Sequence, residues 1–284
     1  MYAAEIPTRQ PLRQTDLEFP TTLLNIARRQ PHVHIEERLS SLEQENSKAW
    51  EAVRHVYIKQ RGQSKSHATT ATFDLEEETR SFLKSEKKVL LIRGDAGAGK
   101  STFTQYLTRI LWMDRENARE DAPIPLLIRL PFVTDAPQNL VPEYLKRHGF
   151  YEADIHELKQ GREFVFILDG YDEISKRRNL YNTNQLHEWK ARVVITCRTE
   201  YLNKYYHNDF IPERYPDAFL EFIVAPFSRS DIQKYIKQHV GAEKHRTHTW
   251  NIDDYNDALK RVPSLTELLS NTFILCIAME ALPA

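Results

Sequence analysis

The chain is predicted to fold as an α/β protein of three layers, with a parallel five-stranded sheet between helices. Two observations carry that prediction. Five short runs dense in β-branched or aromatic residues recur along the middle of the chain: KVLLIRG (88–94), IPLLIRLPF (124–132), EFVFILDG (163–170), ARVVITCR (191–198) and EFIVAPF (221–227). Most are continuously apolar rather than alternating, as in strands covered on both faces. The segments between them are also long enough for the crossover helices that parallel neighbours require. One such helix is explicit, because Phe103, Tyr106, Leu107, Ile110 and Leu111 repeat at i, i+3, i+4, i+7 and i+8.

The flanks differ in character. Residues 1–34 hold Pro7, Pro11, Pro20 and Pro31 around a short apolar patch, and read as an irregular arm with room for one helix. From Ile35 a stripe of Ile35, Leu39, Leu42, Asn46, Ala49, Val53 and Val56 at steps of four and three predicts a long helix. The stripe spans barely three heptads and is widened by Trp50 and Tyr57, so packing onto the rest of the chain is favoured over a coiled coil between copies. RGQSKSHATTAT (61–72) is polar and reads as a linker or loop. Beyond Ser228 the chain is expected to be all helical, with Ser and Asp capping signals opening SRSDIQKYIKQHV. The expected units are therefore a helical N-terminal extension (1–80), the α/β domain (81–227) and the start of a helical subdomain (228–284).

Composition narrows the function. The formal net charge is −1 with acids and bases interspersed, so there is no broad basic footprint for nucleic acid or anionic membrane. The longest apolar run near the end, 273–279, is far too short to span a bilayer, and the N-terminus lacks the blocks of a signal peptide. An intracellular protein is expected. Cys197 and Cys276 lack metal-ligand spacing and are expected to be two reduced, buried thiols.

The chemistry is concentrated in RGDAGAGKST (93–102), which holds three of only eight glycines in 284 residues. Gly94, Gly99, Lys100 and Ser101 satisfy G-x-x-x-x-G-K-[ST], the P-loop. By average composition the bare pattern arises by chance in about one chain in a hundred of this length, and here a predicted strand precedes it and an amphipathic helix follows. Glycines let the backbone wrap so that successive N–H groups face phosphate oxygens, and the helix N-terminus adds its positive end. On this reading Gly94, Asp95, Ala96, Gly97, Ala98, Gly99, Lys100, Ser101 and Thr102 bind the phosphates of ATP or ADP. Lys100 reaches the β- and γ-phosphates, and Ser101 ligates Mg²⁺.

A second element, FVFILDGYDEI, ends an apolar strand in Asp169 with Asp172 and Glu173 just beyond. Asp169 stands where a carboxylate would hold the metal beside the P-loop. The further acids point to hydrolysis, with Glu173, alone or with Asp172, orienting and deprotonating the attacking water. Spacing does not decide which of the two is the base. A third element, VVITCRTEY, ends a strand in Arg198, whose guanidinium on a neighbouring strand would contact the γ-phosphate.

The series GDAGAGKST, FILDGYDE, VVITCR and VAPFSRSDIQKYI resembles the NACHT family, a branch of the STAND class of signalling NTPases, over about residues 85–284. The D-G-x-D-E form of the acidic segment is the most specific part of the likeness. The resemblance implies ATP or ADP with Mg²⁺ on Gly94 to Thr102, Asp169 serving the metal, Asp172 and Glu173 serving hydrolysis, and Arg198 as the sensor arginine. It also implies a slow ATPase acting as a switch: ADP holds a closed monomer, and ATP permits opening, self-association through the NTPase domain and contact with a protein partner. The sequence departs from the family at SNTFILCIA, where Thr272 replaces the proline of a segment similar to N-P-L-x-L that packs near the adenine. The winged-helix region of the family is absent, so the chain is expected to be a fragment of a longer protein.

Rival readings are a nucleotide-holding assembly module with little turnover, and a phosphotransferase acting on a small molecule. The sequence has no N-K-x-D segment for reading guanine. HVH (32–34) and the pair His245 and His248 lack a third ligand nearby and are not read as a metal site. The aromatic stretch 200–216 is read as a loop packed over the sheet, and VYIKQRG (56–62) as a candidate source of adenine-contacting backbone.

Overall fold

A computed structural model describes residues 21–64, 71–118, 122–133, 138–242, 250–261 and 267–283 of the chain. The five predicted strands all form. They are β3 (Val89–Gly94), β4 (Ile124–Arg129), β5 (Phe164–Asp169), β6 (Ala191–Arg198) and β7 (Phe219–Val224), mutually parallel in the order β7-β3-β6-β5-β4. Two more strands, β1 (Arg61–Ser64) and β2 (Phe73–Asp74), extend the sheet antiparallel from its β7 edge. The sheet thus has seven strands rather than five. The difference lies in the stretch read as a linker: Gly62, Gln63 and Ser64 pair with Val224, Ile223 and Phe222 through backbone groups, which polar side chains do not advertise.

The continuously apolar strands are buried on both faces, as their composition requires. Val89 and Leu91 join Phe164, Phe166, Val193 and Ile195 on one face, while Leu90 and Ile92 join Ile167, Val194 and Phe222 on the other. The second face is covered by α2 (Leu75–Lys84) and α3 (Lys100–Ala118), through Phe82, Phe103, Leu107 and Leu111. The first is covered by α4 (Leu140–Arg147), α5 (Glu152–Gly161), the short α6 (Leu180–Thr183) and the loop that carries Tyr206 and Phe210.

Helix α1 (Thr21–Glu51) includes Pro31 and carries the predicted stripe from Ile35 to Ala49, whereas Val53 and Val56 lie beyond its end, at the cap and last residue of a 3₁₀ turn (Arg54–Val56). Residues 1–20 of the expected irregular arm lie outside the described residues. Ile35, Leu39 and Leu42 are buried in the same core as Trp112 and Leu145, so the stripe does pack on its own chain. Truncating Leu39, which is 2% exposed, to alanine is expected to cost about 2–5 kcal/mol. The Asn46 side chain turns back onto the helix, its Nδ2 donating to the Leu42 carbonyl 2.9 Å away.

The C-terminal part is helical, as expected: α7 (Arg229–Ala242), α8 (Ile252–Arg261) and α9 (Thr272–Ala281). Ser228 and Asp231 cap α7 reciprocally, with the Ser228 N–H donating to Asp231 Oδ2 at 3.0 Å and the Asp231 N–H to Ser228 Oγ at 3.2 Å. These helices share a small core of Phe227, Ile232, Tyr235, Tyr255, Leu275 and Met279, which also takes in Ile58. Among the described residues no helix is long and apolar enough to cross a membrane.

Candidate functional site

The parallel strands β3, β5 and β6 run in the same direction, so the residues that follow them emerge at one end of the sheet. After β3 the chain turns through Gly97 (φ 74°) and Gly99 (φ 92°) into α3, which begins at Lys100. Both angles lie in the left-handed region that glycine occupies freely. Space is short as well: a Cβ on Gly97 would meet Asn271 Oδ1 and Phe273 Cβ at 2.7 Å, and one on Gly99 would meet Gln60 Nε2 at 2.5 Å. The Lys100 ammonium folds back onto its own loop, donating to the carbonyls of Gly94 (2.7 Å) and Asp95 (2.9 Å). Burial lowers its pKa from the ordinary lysine value, opposed by the nearby Asp172 carboxylate.

After β5 the chain makes a single 3₁₀ turn, Tyr171–Glu173, which carries the two acids. Tyr171 pins this turn: it is buried, and its hydroxyl donates to the Arg178 carbonyl at 2.9 Å. Asp169, at the end of β5, is 7% exposed, and its Oδ1 accepts from the Thr196 hydroxyl at 2.6 Å. The same hydroxyl accepts from the Gly170 N–H at 2.9 Å, so Thr196 locks β6 to the turn after β5. Arg198 ends β6 and meets both acids. Its Nε lies 2.9 Å from Asp172 Oδ2, and a terminal guanidinium nitrogen lies 3.6 Å from Glu173 Oε1.

These groups share a cavity of about 350 Å³. One wall is polar, made by the loop from Gly97 to Thr102 with Asp172, Glu173, Thr196 and Arg198. The opposite character comes from Val53, Val56, Ile58, Phe227 and Tyr235. Helix α9 closes part of the opening. Asn271 Nδ2 donates to the Ala96 carbonyl at 2.7 Å, the Thr272 hydroxyl to the Gly97 carbonyl at 2.5 Å, and the Phe273 N–H to the same carbonyl at 3.1 Å. A cavity with a glycine-turned loop, the N-terminus of α3 and a lysine at one side and apolar walls at the other suits a phosphorylated, flat, apolar ligand.

The P-loop match, the acidic turn and Arg198 therefore converge, and the family model for the NACHT domain matches residues 88–243, more than half of the chain. The chain belongs to the NACHT family. Its nucleotide-binding P-loop NTPase fold is thereby shown. No curated protein sequence matches this NACHT chain. Among solved structures it is similar to the ORC2 protein of Aeropyrum pernix in its ADP form, at 13% identity and a TM-score of 0.46, over 71% of this chain and 59% of that one. It is also similar to AMPPCP-bound DnaA from Aquifex aeolicus, at 15% identity and a TM-score of 0.37, over 63% of this chain and 53% of that one. The ORC1 protein of Aeropyrum pernix in complex with DNA is similar at 14% identity and a TM-score of 0.45, over 66% and 53%. The chain spans less than two thirds of the length of each.

Of the residues expected from sequence, Gly97 to Thr102, Asp172, Glu173 and Arg198 line the NACHT cavity directly. Gly94, Asp95 and Ala96 stand behind it, two of them as acceptors for Lys100 and one for Asn271. Asp169 is reached through Thr196. The stretch 56–62 does supply part of the wall, through Val56, Tyr57, Ile58 and Gln60. Thr272 is placed on the P-loop by its hydroxyl.

Cys276 is a correction. It was expected to be buried, yet it is exposed and lines the cavity, because α9 turns Leu275 and Met279 inward and leaves Phe273, Ile274 and Ile277 outward. Cys197 is buried as expected, and burial pushes its thiol up to about 12. Sequence reasoning also missed Thr196, Tyr235 and the side chain of Gln60, whose segment was read for its backbone alone. Thr196 had a signal, as the lone hydroxyl in an apolar strand; the other two depend on a fold that brings separate segments together. His34 is exposed and near Glu37, at 3.5 Å, and the pair His245 and His248 lies outside the described residues.

Proposed function

We infer that this NACHT chain binds ATP or ADP with Mg²⁺, hydrolyses ATP slowly to ADP and phosphate, and uses the difference as a regulatory switch in signalling or defence. The observation that carries the reading is the convergence of the P-loop, the Asp172–Glu173 turn, Arg198 and the N-terminus of α9 on one cavity. Gly94 to Thr102 hold the phosphates, and Lys100 leaves its carbonyl partners for the β- and γ-phosphates. Ser101 and Asp169 would hold Mg²⁺, a hard cation that needs only one or two protein oxygens beside phosphates and water. Their hydroxyl and carboxylate are suitable donors, and the metal neutralises charge developing on the γ-phosphate when bound. Glu173, alone or with Asp172, orients and deprotonates the attacking water, and Arg198 senses the γ-phosphate.

In this reading 81–227 is the nucleotide-binding domain, 1–80 an N-terminal extension and 228–284 the start of the lid. Because α9 bonds to P-loop carbonyls, a change in loop conformation with the phosphate state would be felt by the lid, which supports control of opening and self-association. An ATP switch also places the chain inside a cell, where ATP, ADP and Mg²⁺ are plentiful.

The test is binding and turnover of labelled ATP with Mg²⁺ by wild type, Lys100→Ala and Glu173→Gln. Lys100→Ala is expected to lose binding, and Glu173→Gln to bind while hydrolysing more slowly. Background hydrolysis by wild type with intact binding would leave an assembly module, and a product other than ADP and phosphate would point to a phosphotransferase. Mass measurement with ADP and with a non-hydrolysable ATP analogue checks the switch, which requires the oligomeric state to differ.

A further inference from the structure

Gln60 lies between the turn at Arg54–Val56 and β1, held by its backbone carbonyl, which accepts from the Leu75 N–H at 3.2 Å. Its side chain lines the NACHT cavity and is 4% exposed. Among the described residues its Oε1 is buried and has no hydrogen-bond partner. A carbonyl withdrawn from water without a donor is unfavourable, so this atom is set up for a donor from outside the chain.

The orientation of the amide narrows the donor. The Nε2 end lies against the P-loop, nearest of all atoms to the Cβ position of Gly99, with Cδ next at 3.2 Å. Oε1 is therefore the end of the amide farther from the phosphate-binding glycine, in a cavity whose other wall includes Ile58, Phe227 and Tyr235 of one apolar cluster. A nucleotide with its phosphates on the P-loop puts its base against that cluster. The donor an adenine offers there is its 6-amino group, whereas a 6-oxo purine presents an acceptor at the same atom.

We propose that Gln60 is a specificity-determining residue that accepts a hydrogen bond from the 6-amino group of adenine, so that the cavity selects 6-amino over 6-oxo and unsubstituted purine nucleotides. This rests on the nucleotide-binding reading of the same cavity. It assigns base selection to a side chain from the segment before the sheet, independently of the phosphate machinery.

The full chain is titrated calorimetrically, with Mg²⁺, against ATP, GTP, 2′-deoxy-ATP and purine riboside triphosphate, which lacks only the 6-amino group. Wild type is expected to bind ATP about tenfold more tightly than purine riboside triphosphate, the worth of one buried hydrogen bond, and GTP more weakly still. Gln60→Leu should abolish the ATP preference by weakening ATP alone. Gln60→Glu, which keeps an acceptor, should retain about threefold or more. Should Gln60→Leu fail to melt cooperatively, the wild-type ratio and Gln60→Glu decide. Equal binding of ATP and purine riboside triphosphate by wild type overturns the proposal, as does a preference that survives in Gln60→Leu. A change in discrimination against 2′-deoxy-ATP, with base preference unmoved, overturns it in favour of a sugar contact. If wild type binds none of the four triphosphates, the nucleotide reading itself falls; if all bind without distinction, only the role of Gln60 does.

Discussion

Arg198 holds Asp172 by both carboxylate oxygens: its Nε is 2.9 Å from Oδ2, and its backbone N–H donates to Oδ1 at 2.9 Å. The Asp172 side chain is 6% exposed and that of Arg198 is 45% exposed. The acid is therefore committed, while the guanidinium keeps an open side towards the cavity. Glu173, 3.6 Å from the same guanidinium and 47% exposed, is the freer carboxylate. This division favours Glu173 as the base and Asp172 as the group that aims Arg198.

Asp172→Asn is accordingly expected to loosen Arg198 and remove one negative charge facing the phosphates. A half-exposed ion pair is worth up to about 1 kcal/mol, so ATP affinity should rise by no more than about fivefold. Hydrolysis should slow, because the sensor is no longer aimed. Calorimetry paired with phosphate-release kinetics reads both. A fall in ATP affinity would instead make Asp172 a direct support of the bound nucleotide and metal.

Much of this arrangement was legible in the sequence because its parts are local. The P-loop is one continuous turn, and Asp169, Asp172, Glu173 and Arg198 each follow a strand whose apolar run marks where it ends. The parallel sheet then brings those ends together without further information. What escaped depends on long-range approach. Gln60 and Gly99 meet because β1 joins β7 by backbone pairing, although the segment reads as polar and turn-rich. Cys276 lies in a strongly apolar segment, and only the packing of Leu275 and Met279 against the lid core decides that it faces the cavity. The Thr272 hydroxyl stands on the P-loop where family likeness leads one to look for a proline, and no periodicity indicates its bond to Gly97.

Nucleotide binding should depend on pH through Lys100. Burial holds its pKa below that of an ordinary lysine, and a phosphate beside it would raise that value again. Binding therefore takes up a proton wherever the free lysine has begun to lose one, and affinity falls as pH rises through that range. Calorimetry at alkaline pH in buffers of different ionisation enthalpy should register the uptake. Lys100→Arg, which stays charged throughout, should show none over the same range.

The two thiols should differ sharply towards an alkylating reagent. With its pKa pushed up to about 12 by burial, Cys197 is thiolate in roughly one molecule in a hundred thousand at pH 7. Cys276 is exposed at the mouth of the cavity. Brief treatment with a maleimide at neutral pH should add one label, located on Cys276 by mass spectrometry, and Mg²⁺–ATP should slow it. Equal labelling of both cysteines would mean that β6 opens far more readily than its burial indicates.

The docking of α1 on α3 should weaken as pH rises towards neutrality. Arg109 of α3 binds Glu43 of α1 at 3.3 Å and lies 3.7 Å from Glu116, so two carboxylates compete for one guanidinium. Glu36 and Arg115 line the same small cavity, and Ser47 accepts from Arg109 at 3.2 Å. Burial, then the neighbouring Glu116, raise the Glu43 pKa to about 7 from an ordinary 4.5, and Arg109 only partly offsets them. The folded chain thus keeps a proton that the unfolded chain releases. The stability this proton confers is complete below the unfolded pKa of 4.5 and is lost progressively as pH climbs through about 7. With solvent screening at this partly open site the loss should be about 1–2 kcal/mol. The difference between wild type and Glu43→Gln isolates this one proton. Urea unfolding from about pH 4.5 to 8 should show Glu43→Gln gaining on wild type as pH rises, since an amide gives up no proton. Parallel curves for the two proteins would mean that Glu43 is already ionised in the folded chain and that Arg109 serves both acids.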